Sequence, residues 1–334
     1  MSTLKAFIRR KKNTFARQTA IFTTNLHNMQ FEWKGVFPAI TTKFTTDDKL
    51  DLPLFEKNLL FQLQCGVDGI VLGGSLGEAS TLTLEEKETL VKFTIAKVNG
   101  KVPVILNIAE GATTDAIQLA ALGKKWGVDG FMLLPPMRYN ADDRETVTYL
   151  KAVANSTNMP IIIYNNPVDY KIYITIDMFA ELTECKNITA IKESTRDVTN
   201  VTRMRNRFGD RYKILCGVDP LALEELLLGA DGWLAGLVCA CPAETVAIYR
   251  LAKAGRIAEA TAIYRWFMPL LELDIHAKLV QYIKLAETQF GIGSETVRAP
   301  RLTLTGQERE TVLKTINDAL KTRPTLPDYL SINI

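Results

Sequence analysis

One short turn occurs three times in this sequence and limits what the chain can fold into. The pattern Gly-x-Asp-Gly stands at Gly66–Gly69, Gly127–Gly130 and Gly229–Gly232. In each copy a helical pattern ends at the first glycine, and an apolar run begins at or just after the second. The repeat therefore indicates one strand–helix unit that is used several times, as in α/β folds.

Eight short apolar runs predict eight strands, with helical patterns between them. The predicted strands are Gly35–Ile40, Gly69–Gly74, Val102–Ile108, Gly130–Leu134, Pro160–Tyr164, Ile188–Lys192, Lys213–Gly217 and Gly232–Leu237. The predicted helices are Pro53–Cys65, Thr83–Val98, Thr114–Trp126, Arg144–Asn155, Ile176–Glu184, Val198–Phe208 and Leu221–Leu228. Eight units of about 30 residues predict a (β/α)8 TIM barrel. An open doubly wound sheet is the alternative, but Pro38–Thr42 lacks the glycine-rich nucleotide turn expected after its first strand.

The chain divides into three predicted segments. Residues 1–28 contain six Lys or Arg and no Asp or Glu, which favours a disordered or miscalled extension, with an organellar transit peptide as the alternative. Residues 29–242 form the predicted barrel. Residues 243–325 form predicted C-terminal helices, which include the last barrel helix and cover about 243–254, 256–274, 276–290 and 306–321.

Charge and composition exclude several classes of function. Without residues 1–28 the chain has 34 basic and 37 acidic residues (40 − 6 against 37), which argues against nucleic-acid binding. No apolar run approaches the ~18 residues of a membrane span, so a cytoplasmic protein is expected unless the extension directs organellar import. The five cysteines indicate small buried residues in a reducing compartment. With only two histidines, we expect neither a metal site nor a histidine-dependent triad.

The most informative side chains close two neighbouring predicted strands. Lys192 ends one apolar run and Tyr164 ends the run before it, so both lie at the rim where barrel active sites form. Burial lowers the pKa of a lysine, and the free amine can form a Schiff base with a carbonyl. A phenol beside it can move protons, and the turn Gly74–Gly77 offers backbone N–H groups and the Ser75 hydroxyl to a carboxylate. Each feature alone has an ordinary structural explanation, but together on one rim they predict a functional site.

These residues carry a resemblance to a known family. From about Trp33 to Ala319 the chain resembles the dihydrodipicolinate synthase/N-acetylneuraminate lyase family of class I aldolases. The matching motifs are Gly74-Ser-Leu-Gly-Glu78, Tyr164-Asn-Asn-Pro167 and Ile191-Lys-Glu-Ser194. The resemblance implies that Lys192 forms a Schiff base with a 2-oxo acid, that Tyr164 shuttles protons, and that Ser75 binds the carboxylate or relays a proton. It also implies that Tyr139, from the loop after the fourth strand, reaches a neighbouring active site.

The resemblance further implies no cofactor and a homotetramer or homodimer. The residues expected to bind substrate are Thr41, Gly74, Leu76, Asn166, Asp169, Gly217 and Gly236. Two of them depart from the family pattern. Leu76 replaces a second hydroxyl, and Asp169 stands where dihydrodipicolinate synthases place an arginine for the carboxylate of aspartate semialdehyde.

Four hypotheses follow for the function. The leading one is a Schiff-base lyase for a small 2-oxo acid or cyclic imino acid, with deamination of 4-hydroxy-pyrroline-2-carboxylate as the specific reaction. The first alternative is 4-hydroxy-tetrahydrodipicolinate synthase, which joins pyruvate and aspartate semialdehyde. The second is an aldolase for a 2-oxo-3-deoxy sugar acid. The third, of another class, is an inactive barrel that binds a ligand.

Overall fold

Eight parallel strands form the sheet of the computed structural model, which describes residues 31–334. The predicted extension 1–28 lies outside the described residues. The strands are β1 (Gly35–Pro38), β2 (Ile70–Leu72), β3 (Val104–Ile108), β4 (Gly130–Leu133), β5 (Ile161–Asn165), β6 (Ile188–Glu193), β7 (Lys213–Cys216) and β8 (Gly232–Ala235). Strands β2 to β8 pair with their neighbours in chain order, and β1 pairs with β8. A single bridge from Ala39 to Val71 joins β1 to β2 and nearly closes the predicted (β/α)8 barrel, which is confirmed.

Helices follow the strands as the sequence predicts, with two differences. They are α1 (Leu52–Gln64), α2 (Leu84–Val98), α3 (Thr113–Trp126), α4 (Asp143–Asn155), α5 (Pro167–Tyr170), α6 (Ile176–Leu182), α7 (Thr199–Phe208), α8 (Ala222–Leu227), α9 (Pro242–Lys253), α10 (Ile257–Leu271), α11 (Leu279–Gln289) and α12 (Gly306–Lys321). The short α5 was not predicted. A 3₁₀ turn over Glu272–Ile275 ends the helix predicted over 256–274 early and delays the next one until Leu279. No described helix is long and apolar enough to cross a membrane.

The aspartate of the repeated Gly-x-Asp-Gly turn has the same structural role in all three copies. Its backbone N–H donates to a residue of the preceding strand, and its carboxylate accepts from the N–H of that same residue at 2.8 Å. The pairs are Asp68 with Val36, Asp129 with Val104, and Asp231 with Ile214. Each aspartate therefore fixes the start of an even-numbered strand to the odd-numbered strand before it, at the N-terminal face of the barrel.

Before β6, an asparagine stands where the other even-numbered strands have the aspartate. The Asn187 side chain donates to the carbonyls of Ala154, Thr157 and Met159, at 2.9, 3.0 and 3.3 Å. Its own carbonyl accepts from the N–H of Ile161, the first residue of β5. All four even-numbered strands thus begin at a hydrogen-bonded Asp or Asn, and the chain reaches the C-terminal face in a fixed register.

The C-terminal helices contribute to the opposite face. After the last barrel helix α9, α10 packs on α9, and α12 packs on α10 and α11. The 3₁₀ turn between α10 and α11 brings Asp274 to the end of β8, where a Cβ added to Gly236 would lie 1.9 Å from the Asp274 Oδ1. The appended segment therefore supplies part of the wall around the barrel mouth.

Candidate active site

Lys192 and Tyr164 are direct neighbours across two strands. The register of β5 and β6 pairs them, so both side chains lie on the same face of the sheet. The Lys192 Nζ lies 4.0 Å from the centroid of the Tyr164 ring, and the lysine is only 7% exposed. Both residues line one cavity at the C-terminal ends of the strands, as the sequence predicts.

Burial is the main influence on the charge of Lys192. It lowers the pKa of the amine below its usual value, against the opposing effect of Tyr170, Asp274 and Asp219. More of the lysine is therefore present as free amine than for a lysine in water. The free amine is the form that attacks a carbonyl carbon.

Gly217 makes room for this lysine at the end of β7. A Cβ at Gly217 would lie 2.6 Å from the Lys192 Cε and 2.1 Å from the Ser194 Oγ. Any larger residue would collide with both side chains. The predicted site residue Gly217 thus serves the site by permitting the close approach of Lys192.

Ser194 is a residue of the site that the sequence reasoning did not select. It is 1% exposed, it lines the cavity, and its Oγ has no hydrogen-bond partner among the described residues. A buried hydroxyl without a partner is available to a bound molecule. The sequence signal for Ser194 is its position two residues after Lys192, because residues i and i+2 of an extended chain lie on the same face.

Glu193 points away from the cavity and stabilises the loop that follows. Its carboxylate accepts from the Thr195 N–H at 2.7 Å and from the Asn200 side chain at 2.6 Å. The alternation along β6 therefore separates a reactive residue from a structural one.

The turn that carries Ser75 is fixed from behind. The Thr42 hydroxyl donates to the Gly77 carbonyl at 2.7 Å. Glu78, in the left-handed region at φ 55°, forms a fully buried ion pair with Lys284 of α11 at 2.5 Å and accepts from the Arg298 N–H at 3.0 Å. These contacts leave Ser75 itself exposed at the barrel mouth.

The segment after β5 is held at both ends by two asparagines. Asn165 bonds both the N–H and the carbonyl of Ile174 at 3.0 Å. Asn166 caps α5, because its Oδ1 accepts from the Asp169 N–H at 3.1 Å. The Asn166 amide also donates to the Tyr164 hydroxyl at 3.0 Å and to the Asp169 carboxylate at 2.7 Å. The segment between them is consequently anchored where it passes the cavity.

Tyr170, at the end of α5, is the second residue that the sequence reasoning missed. Its hydroxyl is hydrogen-bonded to the Ser75 Oγ. Its ring meets the Tyr164 ring edge-on, at 5.4 Å between centroids and 79° between planes. Its contact depends on the unpredicted helix α5, so the only signal was Pro167 as a helix start three residues before it.

Most of the predicted site residues share the cavity, which contains about 640 Å³ of space including its open mouth. Those that line it are Gly74, Ser75, Leu76, Tyr164, Asn166, Asp169, Lys192, Gly217 and Gly236.

The structure leaves two predicted residues outside this cavity. Thr41 is fully buried, and its hydroxyl donates to Glu287 at 2.6 Å in an ion-pair cluster with Lys43. Tyr139 is 56% exposed and lines a separate surface cavity with Arg144 and Tyr149. The substrate contact of Thr41 and the catalytic role of Tyr139 stay predictions.

Charged groups surround the mouth of the cavity. Asp169 and the half-buried Asp274 line it together with Arg196, which has a left-handed backbone at φ 64°. Burial, with the nearby Asp219, raises the pKa of the Asp274 carboxyl well above its usual value. Sequence reasoning did not select Asp274 or Arg196, because both lie in irregular segments without a motif.

The described part of the chain offers neither a cluster of metal ligands nor a reactive thiol. Residues 31–334 contain no group of three or more His, Cys, Asp or Glu arranged to hold a metal ion. The five cysteines are free and buried, as the sequence predicts. Burial raises the pKa of the Cys216, Cys239 and Cys241 thiols well above the usual value, which disfavours the nucleophilic thiolate.

Comparison with known proteins agrees with this geometry. The model of the dihydrodipicolinate synthetase family matches residues 32–319. The 4-hydroxy-tetrahydrodipicolinate synthase of Kosmotoga olearia is 31% identical over 86% of this chain and 98% of its own length.

Two solved structures extend the likeness to the fold. The 4-hydroxy-tetrahydrodipicolinate synthase of Methylacidiphilum fumariolicum SolV is 29% identical, with a TM-score of 0.81 over 87% of this chain and 98% of its own. The pyruvate complex of the Acinetobacter baumannii dihydrodipicolinate synthase is 27% identical, with a TM-score of 0.83 over 86% and 99% of the two chains. The protein is thus a lyase of the class I aldolase type and belongs to the dihydrodipicolinate synthetase family.

Proposed function

We propose that this protein is a Schiff-base-forming lyase for a small 2-oxo acid or cyclic imino acid, with Lys192 as the nucleophile. The observation that carries the proposal is the buried Lys192 amine over the Tyr164 ring, inside a cavity that opens at the barrel mouth. Burial favours the free amine there.

The reaction begins with attack of the Lys192 amine on the carbon of the C=O or C=N bond. With a 2-oxo acid, the nitrogen loses one proton and the oxygen gains one, and protonation of that hydroxyl then releases water and leaves an iminium ion. With a cyclic imino acid, the same attack opens the ring by transimination. The iminium withdraws electrons from the neighbouring carbon, so a bond there breaks more easily.

Tyr164 and Ser75 are the groups placed to manage these protons and to bind the substrate. The Tyr164 ring lies under the amine, and burial raises the pKa of its phenol, which keeps it protonated as a donor. Ser75 and the backbone of Gly74 line the same cavity. Their hydroxyl and N–H groups suit a carboxylate next to the reacting carbon.

Deamination of 4-hydroxy-pyrroline-2-carboxylate is the specific reaction we propose first. The carboxyls of Asp169 and Asp274 line the cavity, and carboxyls favour a protonated ring nitrogen and a hydroxyl as partners. Ser194 adds an unpartnered hydroxyl beside Lys192. An additional substrate carboxylate would meet the acids unfavourably.

The second candidate is 4-hydroxy-tetrahydrodipicolinate synthase. The names of the relatives favour it, and Arg196 at the cavity mouth offers a cation for the carboxylate of aspartate semialdehyde. A cytoplasmic homotetramer or homodimer without a cofactor is proposed for either reaction, in keeping with the family resemblance.

Trapping tests the mechanism. The protein is mixed with pyruvate and borohydride, digested, and searched by mass spectrometry for a reduced adduct on the Lys192 peptide. We expect the adduct in the wild-type chain and its loss in Lys192→Arg, which keeps the charge but cannot form the imine under these conditions. Absence of an adduct with every 2-oxo acid tried would favour the ligand-binding barrel.

Turnover then distinguishes the substrates. Release of ammonia from 4-hydroxy-pyrroline-2-carboxylate is compared with consumption of pyruvate plus aspartate semialdehyde, in the wild type and in Asp169→Arg. We expect faster ammonia release in the wild type and its decrease in the variant. Faster condensation by the wild type would establish the second candidate instead.

A further inference from the structure

The hydrogen bond between Tyr170 and Ser75 joins two cavities. Ser75 lines the Lys192 cavity and also a second, outer cavity, which contains about 1110 Å³ of space including its open mouth. Tyr170 lines only the outer one of these two. The hydrogen-bonded pair therefore stands in the wall between the reacting lysine and the outer cavity.

The outer cavity has the polar groups that a proton exit needs. Lys87 and Glu110 form an ion pair at 2.8 Å in its wall. Asn107, 4% exposed, also lines it, and its Oδ1 has no partner among the described residues, so this oxygen is available to accept from water. Protons can be exchanged with solvent on that side.

The local structure holds Tyr170 in this place. The Asn166 cap and Pro167 at the first helical position start α5, and Lys171 in the left-handed region at φ 63° ends it directly after Tyr170. The edge-on contact with the Tyr164 ring fixes the plane of the phenol. The arrangement is thus built by this chain alone.

We propose that Tyr170 is a positioning residue that acts through Ser75, completing within one chain a proton relay between the Lys192 cavity and the outer cavity. The inference rests on the proposed Schiff-base function. The family resemblance places Tyr139 at a neighbouring active site, whereas Tyr170 contacts Ser75 of its own chain.

The proton balance of the relay is simple. As the carbinolamine loses its hydroxyl, the Ser75 Oγ gives its proton to that leaving oxygen and takes the proton of the Tyr170 hydroxyl. Tyr170 takes a proton from water of the outer cavity in the same movement, so the net change is one proton from that water to the departing water. Burial raises the pKa of Tyr170, which requires the hops to be concerted and leaves no lasting phenolate.

Rates of imine formation test the relay. Borohydride trapping of pyruvate is followed over time in the wild type, Tyr170→Phe, Ser75→Ala, Ser75→Thr and the double variant Ser75→Ala/Tyr170→Phe. We expect Tyr170→Phe and Ser75→Ala each to slow the trapping rate by about 10²-fold, with the final extent of trapping unchanged. The double variant should be no slower than the slower single variant, and Ser75→Thr should keep most of the rate.

A second tyrosine of the same segment provides the control for Tyr170→Phe. Tyr173→Phe alters an exposed tyrosine of the same segment and should leave the rate within about twofold. A solvent deuterium isotope effect on imine formation should be present in the wild type and smaller in Tyr170→Phe, and a purely structural role would not change it. Thermal unfolding checks that each variant is folded.

Three outcomes would overturn the proposal. A Tyr170→Phe rate within twofold of wild type, with wild-type trapping intact, refutes the relay alone. A large loss of rate in Tyr139→Phe with none in Tyr170→Phe would assign the proton transfer to Tyr139 instead. Absence of trapping in the wild type refutes the Schiff-base function, and the relay with it.

Discussion

The two faces of the barrel use buried polar residues in different ways. At the N-terminal face, Asp68, Asp129 and Asp231 repeat one contact between consecutive strands, in which a carboxylate accepts from a backbone N–H of the preceding strand. At the C-terminal face, contacts join distant parts of the chain, as Glu78 does with Lys284. The N-terminal face repeats one hydrogen-bond motif, and the C-terminal face is built from contacts that each occur once.

The difference shows where the stability and the chemistry of this fold reside. The repeated contacts between consecutive strands set the register of the strands and are independent of the reaction. At the C-terminal face, the long-range contacts Glu78–Lys284 and Ser75–Tyr170 hold the Ser75 turn beside Lys192. Changes at the first face should therefore affect stability alone, whereas changes at the second should affect stability and activity together.

The largest of the effects that test this comparison is expected from Lys284→Met. It leaves the Glu78 carboxylate buried without its main partner, which should lower the free energy of unfolding by about 3–5 kcal/mol. The Ser75 turn loses its support, so kcat should fall as well. Denaturant unfolding and steady-state kinetics measure both changes.

A matched double variant controls for the missing charge. Glu78→Gln/Lys284→Met removes both ions and should recover part of the lost stability. If Lys284→Met unfolds like the wild type, the buried pair does not support this face.

An intermediate effect is expected from Asp68→Ala at the opposite face. The variant leaves the Val36 N–H without its side-chain acceptor, which should lower the free energy of unfolding by about 1–3 kcal/mol. The kcat of the folded protein should remain at the wild-type value, because Asp68 is not among the residues that line the Lys192 cavity. A parallel loss of kcat would contradict the separation of the two faces.

The smallest effect is expected from Asp274→Asn, in the pH dependence of imine formation. The rate rises with pH as the Lys192 ammonium becomes free amine. Burial is the largest influence on the pKa of Lys192 and lowers it, whereas the Asp274 charge raises it. Removal of the Asp274 charge should therefore lower the pKa of Lys192 further. The rise in trapping rate should move to lower pH by less than about one unit.

Asp210→Asn is the control for this shift, because the Asp210 side chain is 94% exposed and pairs with Arg205 of α7 at 3.5 Å. Its pH profile should match the wild type. A shift of the Asp274→Asn profile to higher pH would show that the sign of the interaction is wrong.

The sequence predicts the repeated part of the molecule better than the rest. All eight strands and the pairing of Tyr164 with Lys192 followed from apolar runs, because local periodicity reflects burial directly. Leu76 and Asp169 line the cavity, and their contact with the substrate stays a prediction.

Residues whose position depends on irregular backbone escaped prediction. Tyr170 reaches Ser75 only through the four-residue α5, and Asp274 reaches the cavity only through a 3₁₀ turn. Thr41 was expected to bind substrate, yet its hydroxyl donates to Glu287 in a buried cluster. Glu287 belongs to α11 and lies 246 positions after Thr41 in the chain. No local sequence pattern predicts a contact over that separation.

The hydrogen-bonded links that Asp68, Asp129, Asp231 and Asn187 form before the even-numbered strands also determine where such a barrel can be divided to build chimaeras. They join β1 to β2, β3 to β4 and β7 to β8, and Asn187 serves β5 and β6. The barrel therefore divides into four cassettes of two strands each. Chimaeras with junctions after an even-numbered strand keep every such link inside its cassette, and we expect them to fold more readily than chimaeras cut within a pair.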